Sequence, residues 1–260
     1  MAVHPSAIVE HGAVVPESCE IGAYCTIGPK VVLGERCRII SHVVLAGNTR
    51  MGDDNVVYPF TTIGLDPQDL KFNGEDTRVE IGDGNVIRES CTIHKGTPGG
   101  TGVTRIGNQN LIMAYCHIAH DCVVGDHNIF ANAATLAGHV VVEDHAHLAA
   151  LAPVHQFCRI GSHAFIGGHT VITQDVLPYS RTSAVREIHA FGVNSVGLER
   201  KGFSKDSVRR LQRAYRLLLN SGLNTSQALE KMREDNAEAN DENVAKLIEF
   251  IASSTRGIIK

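Results

Sequence analysis

Stepping by six from Val3 meets only apolar residues: Val3, Val9, Val15, Ile21, Ile27, Leu33, Ile39, Leu45, Met51, Val57 and Ile63. The register resumes at Ile81, Ile87 and Ile93. It resumes again at Ile106 and runs unbroken through Ile112, Ile118, Val124, Phe130, Leu136, Val142, Leu148, Val154, Ile160 and Ile166 to Ile172. A period of six belongs neither to a helix nor to a long strand. It marks a repeat whose unit is one short strand and one corner. Three such sides close a triangular coil of 18 residues. Stacked coils pair their backbones about 4.8 Å apart, so roughly nine coils form a mainly β, parallel β-helix. Glycine often follows the apolar position, as at Gly22, Gly28, Gly34, Gly52, Gly64, Gly82, Gly107, Gly125, Gly161 and Gly167. That pattern predicts a corner at which glycine supplies a positive φ.

Two segments interrupt the period, residues 64–80 and 94–105, and long loops on a rigid scaffold usually carry function. The hexads stop after Ile172. From Ser204 a helical stripe begins: Val208, Leu211, Ala214, Tyr215, Leu218 and Leu219. Gly222 closes that helix, Asn224 with Gln227 resembles a capping box for a second, and a third is expected over about 242–253. The organisation is therefore a repeat domain at 1–190, with its two loops, and a small α-helical domain at 191–260.

Seven cysteines each lie four residues after a hexad position, in a slot shared with Ser, Thr, Ala and Val. This predicts small inward packing residues rather than a convergent zinc set or a disulfide framework. Aromatics are 5% and Trp is absent, in keeping with a narrow interior. Net charge is −4, which argues against nucleic acid as a partner. No apolar run is long enough to span a membrane. The first twenty residues lack a signal-peptide pattern, so a cytoplasmic location is expected. Residues 201–260 hold 11 Lys/Arg against 8 Asp/Glu, whereas residues 1–200 hold 13 against 20. The basic run Lys201, Lys205, Arg209, Arg210, Arg213 and Arg216 is either a solvated helix face or a dock for an acidic partner or phosphates.

Fourteen histidines are concentrated by the coil arithmetic. Counting modulo 18 from Ile118 puts His117, His120, His139 and His155 on one edge. His94 joins them if the second loop is a pure insertion. The edge would be roughly 15 Å long, enough for a nucleotide-sized ligand. General-base catalysis, metal binding and a Cys–His pair are all chemically open to it, although the repeat slot of Cys116 and Cys122 disfavours the last. A second column, His127, His145 and His163, falls on a different corner and reads as a stack of corner residues, exposed or at a subunit contact.

The chain resembles the bacterial UDP-N-acetylglucosamine O-acyltransferases of lipid A biosynthesis over essentially its whole length. The resemblance is carried by QDLK at 68–71, GEDTR at 74–78, HIAHDC at 117–122, AGH at 137–139, HQF at 155–157, FGVN at 191–194 and RKGF at 200–203. It implies a left-handed helix sense and a homotrimer with sites between subunits. It also implies transfer of a (R)-3-hydroxyacyl group from acyl carrier protein to the 3-hydroxyl of UDP-N-acetylglucosamine, with no metal and no cofactor. In that scheme His120 matches the general base, Asp121 its orienting acid and Gly138 the oxyanion donor. Asp69, Lys71, His94, His117, His139, His155, Gln156, Asn194 and Arg200 match substrate contacts. Gly168 matches the position that limits acyl length, and Arg209, Arg210 and Arg213 would dock the carrier protein. Val196 stands where the family often has Glu, and Lys201 where a second Arg is familiar. Acylation of a 3-amino sugar analogue is the alternative within the family. A related N-acyltransferase is another, but that family has an extra N-terminal domain where the hexads here start at Val3. A zinc-dependent hexapeptide carbonic anhydrase is the alternative outside the pathway.

Overall fold

The computed structural model describes residues 2–184 and 188–260. Short strands, most of them two residues long, wind into a prism with three parallel sheets, and the largest of these ends in an antiparallel hairpin. Partners on neighbouring coils lie 18 residues apart, as in Ile21–Ile39 and Ile112–Phe130. The offset becomes 30 between Ile63 and Ile93 and 25 between Ile93 and Ile118, so the two loops add twelve and seven residues to an otherwise continuous coil. The winding is left-handed, against the usual right-handed crossover between parallel strands.

Hexad side chains from Ile21 to Ile172 are all buried in one continuous core, with Val3, Val9 and Val15 half-buried at its end. All seven cysteines are buried and free, as their slot predicts. One column of that slot holds Asn55, Asn85, Asn110 and Asn128. Their amides form a buried ladder: Asn85 Nδ2 donates to Asn55 Oδ1 at 3.0 Å and Asn110 Nδ2 to Asn85 Oδ1 at 2.9 Å. The next residue in the column is Ala146, and Asn128 Nδ2 has no acceptor among the described residues.

The glycines after the hexad positions do a different job from the one expected. Apart from Gly64, none has a positive φ. They make room instead. A Cβ on Gly52, Gly107 or Gly125 would lie 2.0, 2.1 or 2.2 Å from Oδ1 of Asp83, Asp126 or Asp144. Those carboxylates accept backbone N–H groups one coil away, for example Asp53 N–H to Asp83 at 2.8 Å and Asp126 N–H to Asp144 at 2.9 Å. The positive φ falls three residues after the hexad position, mostly on residues with side chains, including Asp121, His127, His139, His145, Phe157 and His163. A left-handed residue with a Cβ costs about 1–2 kcal/mol. Here the conformation lets the corner N–H bond to the preceding coil, as His139 does to the His120 carbonyl at 3.0 Å and His145 to that of Asp126 at 2.9 Å. It also stacks the corner side chains in columns.

The coil outlasts its sequence signature. Ile160 bridges to Val176 and Phe165 pairs with Arg181, both offsets being 16 rather than 18. The chain then reverses as the hairpin Ser180–Ala184 and Ile188–Val193, which contains residue 190. Four helices follow: α1 Ser195–Arg200, α2 Lys205–Asn220, α3 Thr225–Ala239 and α4 Glu242–Ala252. The hairpin and α1 had no periodic signal. The other three stand where expected, α2 capped by Ser204 and α3 by the Asn224–Gln227 box. Leu198, Leu211, Tyr215, Leu218 and Leu247 close a second core on Leu177 and Tyr179. Arg159 ties this cap to the coil, through Asp175 at 3.0 Å and the Phe250 carbonyl at 3.0 Å. Among the described residues no helix is long and apolar enough to cross a membrane.

Candidate functional site

The corner after strand His117–Ile118 gathers the first histidine column. The His94 and His117 rings meet edge-on with centroids 5.0 Å apart, and so do those of His120 and His139. His139 stacks on Phe157 at 4.5 Å. The pure-insertion arithmetic for His94 therefore holds. His155 and Gln156, on the next coil, are exposed. His117 Nδ1 is 2.6 Å from Thr92 Oγ1, and burial, then His94 and His120, push its imidazole down to about 4. Burial, then His120, also lowers His94, whose buried Nδ1 has no hydrogen-bond partner among the described residues.

His120 Nδ1 lies 2.8 Å from Asp121 Oδ2. The Asp121 side chain has no exposed surface, yet it is surrounded by donors from the second loop. Thr97 Oγ1 donates to Oδ2 at 2.6 Å, and the backbone N–H groups of Thr101 and Gly102 donate to Oδ1 at 2.9 and 3.0 Å. Burial works against the charge, but the bonds from Thr97, His120 and Thr101 outweigh it and hold the carboxyl below its ordinary value. An ionised Asp121 accepts the Nδ1–H of a neutral His120. That tautomer leaves Nε2 as a bare acceptor.

No sequence pattern marks Thr97, Thr101, Gly100 or Gly102 as a site residue. The signal available was the Gly- and Thr-rich composition of the loop. A Cβ on Gly100 would sit 2.5 Å from the Asp121 carboxylate, so only glycine lets the loop close there. Gly138 is similar. Its missing Cβ would be 2.5 Å from Cε1 and 2.7 Å from Nε2 of His120, and its N–H donates to no group among the described residues. His120, Asp121 and His139 also bring ligand atoms within 4.8 Å of one another, the spacing of a cation site, but a cation on Asp121 would compete with the loop's donors.

The first loop reaches the same corner. Asp69 is near enough for its charge to act on His139. Lys71, whose N–H donates to Asp69 Oδ1 at 3.0 Å, is exposed. Asn194 and Arg200 lie elsewhere in the chain. They line a groove of about 470 Å³ with His127, His145, His163, Arg181 and Lys201, so the second histidine column is part of a cationic groove rather than a bare corner stack. Its rings are near-parallel, with centroids 4.9 and 4.6 Å apart. Asn194 caps α1 and donates to the His163 carbonyl at 3.3 Å. Val196 lines the groove too, so no carboxylate enters from that position. At Gly168 a Cβ would meet only the Ala150 carbonyl, at 3.4 Å.

The run on α2 is less bare than its sequence suggests. Besides Asp206 on Arg209 at 3.2 Å, the fold brings Asp241 to Arg210 at 3.3 Å and Asp235 to Arg213 at 3.0 Å.

Residues 175–259 match the family described as UDP N-acetylglucosamine O-acyltransferase, domain 2, and residues 104–138 match the bacterial transferase hexapeptide repeat. Among solved structures, a UDP-N-acetylglucosamine O-acyltransferase from Moraxella catarrhalis is 43% identical, with 100% of both chains covered and a TM-score of 0.95. A related protein from Acinetobacter baumannii is 42% identical, with the same coverage and a TM-score of 0.95. The UDP-N-acetylglucosamine acyltransferase of Francisella novicida is 39% identical over 99% of this chain and 93% of its own, again with a TM-score of 0.95. With coil, loops and cap matched end to end, this chain belongs to the UDP-N-acetylglucosamine O-acyltransferase family.

Proposed function

We propose that the protein moves a (R)-3-hydroxyacyl group from acyl carrier protein to the 3-hydroxyl of UDP-N-acetylglucosamine, opening lipid A synthesis, and that His120 is the general base. The observation that carries this reading is the His120–Asp121 pair, whose carboxylate the second loop fixes in its ionised form. Nε2 takes the proton of the sugar hydroxyl as its oxygen attacks the thioester carbonyl. Asp121 stabilises the imidazolium that forms. The unpaired Gly138 N–H receives the oxyanion, a role worth about 3–4 kcal/mol of barrier. Collapse of the intermediate expels the carrier thiolate, which recovers the proton from His120.

Asp69, Lys71, His94, His117, His139, His155 and Gln156 then hold the sugar nucleotide and acyl group along the first column. Asn194 and Arg200 would hold the uridine diphosphate end. They stand on a different corner of their own chain, which supports a homotrimer in which one subunit's groove faces its neighbour's first column. The carrier protein, acidic and cytoplasmic, would dock on the α2 face. Its ion pairs leave Arg209 and Arg213 about 70% exposed and Arg210 about half. The open backbone at Gly168 favours a long acyl chain.

The decisive experiment offers 3-hydroxyacyl carrier proteins of several lengths with UDP-N-acetylglucosamine, and separately with its 3-amino analogue. Ester formation on the first sugar is expected. Turnover of the amino sugar alone would keep the mechanism and change the product. No turnover of either by folded protein would end this reading.

A further inference from the structure

The first loop leaves the coil at Gly64, where φ is +83° and a Cβ would lie 2.1 Å from the Ala46 carbonyl oxygen. Its tip is a short turn. Phe72 N–H donates to the Asp69 carbonyl at 3.0 Å, and Lys71 N–H to the Asp69 side chain at 3.0 Å. One side chain from outside the loop contacts both sides of that turn. Lys95 Nζ lies 2.9 Å from Asp66 Oδ1, ahead of the turn, and 4.7 Å from the centroid of the Phe72 ring, behind it. The Lys95 side chain is only 12% exposed, and its backbone N–H donates to the Leu65 carbonyl at 3.2 Å. Another ion pair of the loop, Lys30–Asp76, lies beyond the turn and is 62% and 68% exposed. Asp66 itself is 71% exposed, but the Lys95 ammonium is not, and a desolvated cation that touches both a carboxylate and an aromatic face holds them more firmly than a pair exposed at both ends does. Lys95 also follows His94 directly in the chain, so the clamp is anchored to the wall of the site itself.

We propose that Lys95 is a positioning residue that clamps the first loop at Asp66 and Phe72 and so sets Asp69 and Lys71 over the His120 corner. The kinetic part of this inference rests on the acyl-transfer reading; the structural part does not. The test compares the full-length protein with Lys95→Met, Lys95→Arg and Phe72→Leu. In Lys95→Met, amide exchange over residues 66–72 is expected to quicken by about tenfold, and KM for UDP-N-acetylglucosamine to rise by about tenfold, with kcat and the donor KM nearly unchanged. Arginine keeps both the charge and the ring contact, so Lys95→Arg restores both readouts to within about twofold. Phe72→Leu loosens the clamp from its other side and shifts both readouts in the same direction. Unchanged exchange in Lys95→Met overturns the clamp. A raised KM with unchanged exchange also overturns it, because Lys95 would then be touching substrate. If the wild-type protein turns over no UDP-N-acetylglucosamine, the functional reading fails, and the exchange measurement still decides whether the clamp exists.

Discussion

Two histidine columns run along this prism, and they differ in what surrounds them. The first has a buried carboxylate at its centre, held ionised by a loop folded around it. Its rings meet edge-on, and one of them, His120, is oriented through Nδ1. The second has cations beside it and rings stacked nearly flat. Its own acids, Asp126 and Asp144, spend Oδ1 on backbone N–H groups of the coil before them. Lys201 Nζ approaches His145 Nδ1 at 3.4 Å, and burial, then Lys201, lowers that imidazole. Two corners of one repeating coil thus carry histidines in opposite company, a buried carboxylate beside one column and cations beside the other. Ring count does not separate them; the charge beside the ring does.

The largest expected effect tests that contrast directly. His120→Ala should lower kcat by roughly 10²–10⁴-fold, the scale of a lost general base. His145→Ala should leave kcat within about threefold and act on KM for the sugar nucleotide. Steady-state kinetics on both variants decides the matter. Equal losses in kcat would erase the proposed division of labour.

Asp121→Asn is expected to fall next, at roughly 10²-fold or more in kcat, because an amide can hold the imidazole in the wrong tautomer. It should also cost stability, since Thr97, Thr101 and Gly102 would lose a charged acceptor that they surround. A chemical-denaturation midpoint measured beside the kinetics reads both. Gly138→Ala sharpens the geometry, because the new methyl falls on the His120 ring. A loss of about 10²-fold in kcat with little change in Tm is expected. A fall in Tm comparable to that of Asp121→Asn would mean that the glycine serves the coil rather than the ring.

Much of this was legible in sequence because a coil with a fixed period turns spatial columns into modular arithmetic. Its arithmetic puts His94, His117, His120 and His139 on one edge once the second loop is treated as an insertion. The same arithmetic found the second column but not its use, since Arg181, Asn194, Arg200 and Lys201 arrive from the hairpin and α1, where the period has lapsed. Thr97 and Gly100 were hidden for a related reason. A loop has no register, so nothing in its spacing says that it folds back on Asp121. The glycines misled because positive φ and lack of space both select glycine, and only the Cβ clearances separate them. At Gly52 the constraint is the Asp83 carboxylate, and at Asp54, two residues on, a side chain accepts the left-handed φ of 57°.

The smallest expected effect comes from acid, and each column contributes to it, most through its most strongly shifted histidine. Burial, then neighbouring histidines, pushes His117 down to about 4, and burial, then His145 and Lys201, does the same to His163. An unfolded histidine titrates near 6.5. Between that value and about 4 the unfolded chain therefore binds protons that the native chain refuses, so stability must fall as pH drops through this window. Each group can contribute up to about 3 kcal/mol, less where solvent reaches the ring. Asp121, whose folded value is depressed, adds its loss lower down, below the ordinary carboxylate range. Replacing either His117 or His163 with Gln should lessen the fall of the unfolding free energy between pH 6.5 and 4, as followed by denaturant titration at each pH. The His117 variant should also disturb turnover through its contact with His94, whereas the His163 variant should act on sugar-nucleotide binding. If both variants lessened that fall and neither touched its own kinetic parameter, the two columns would differ in surroundings but not in function.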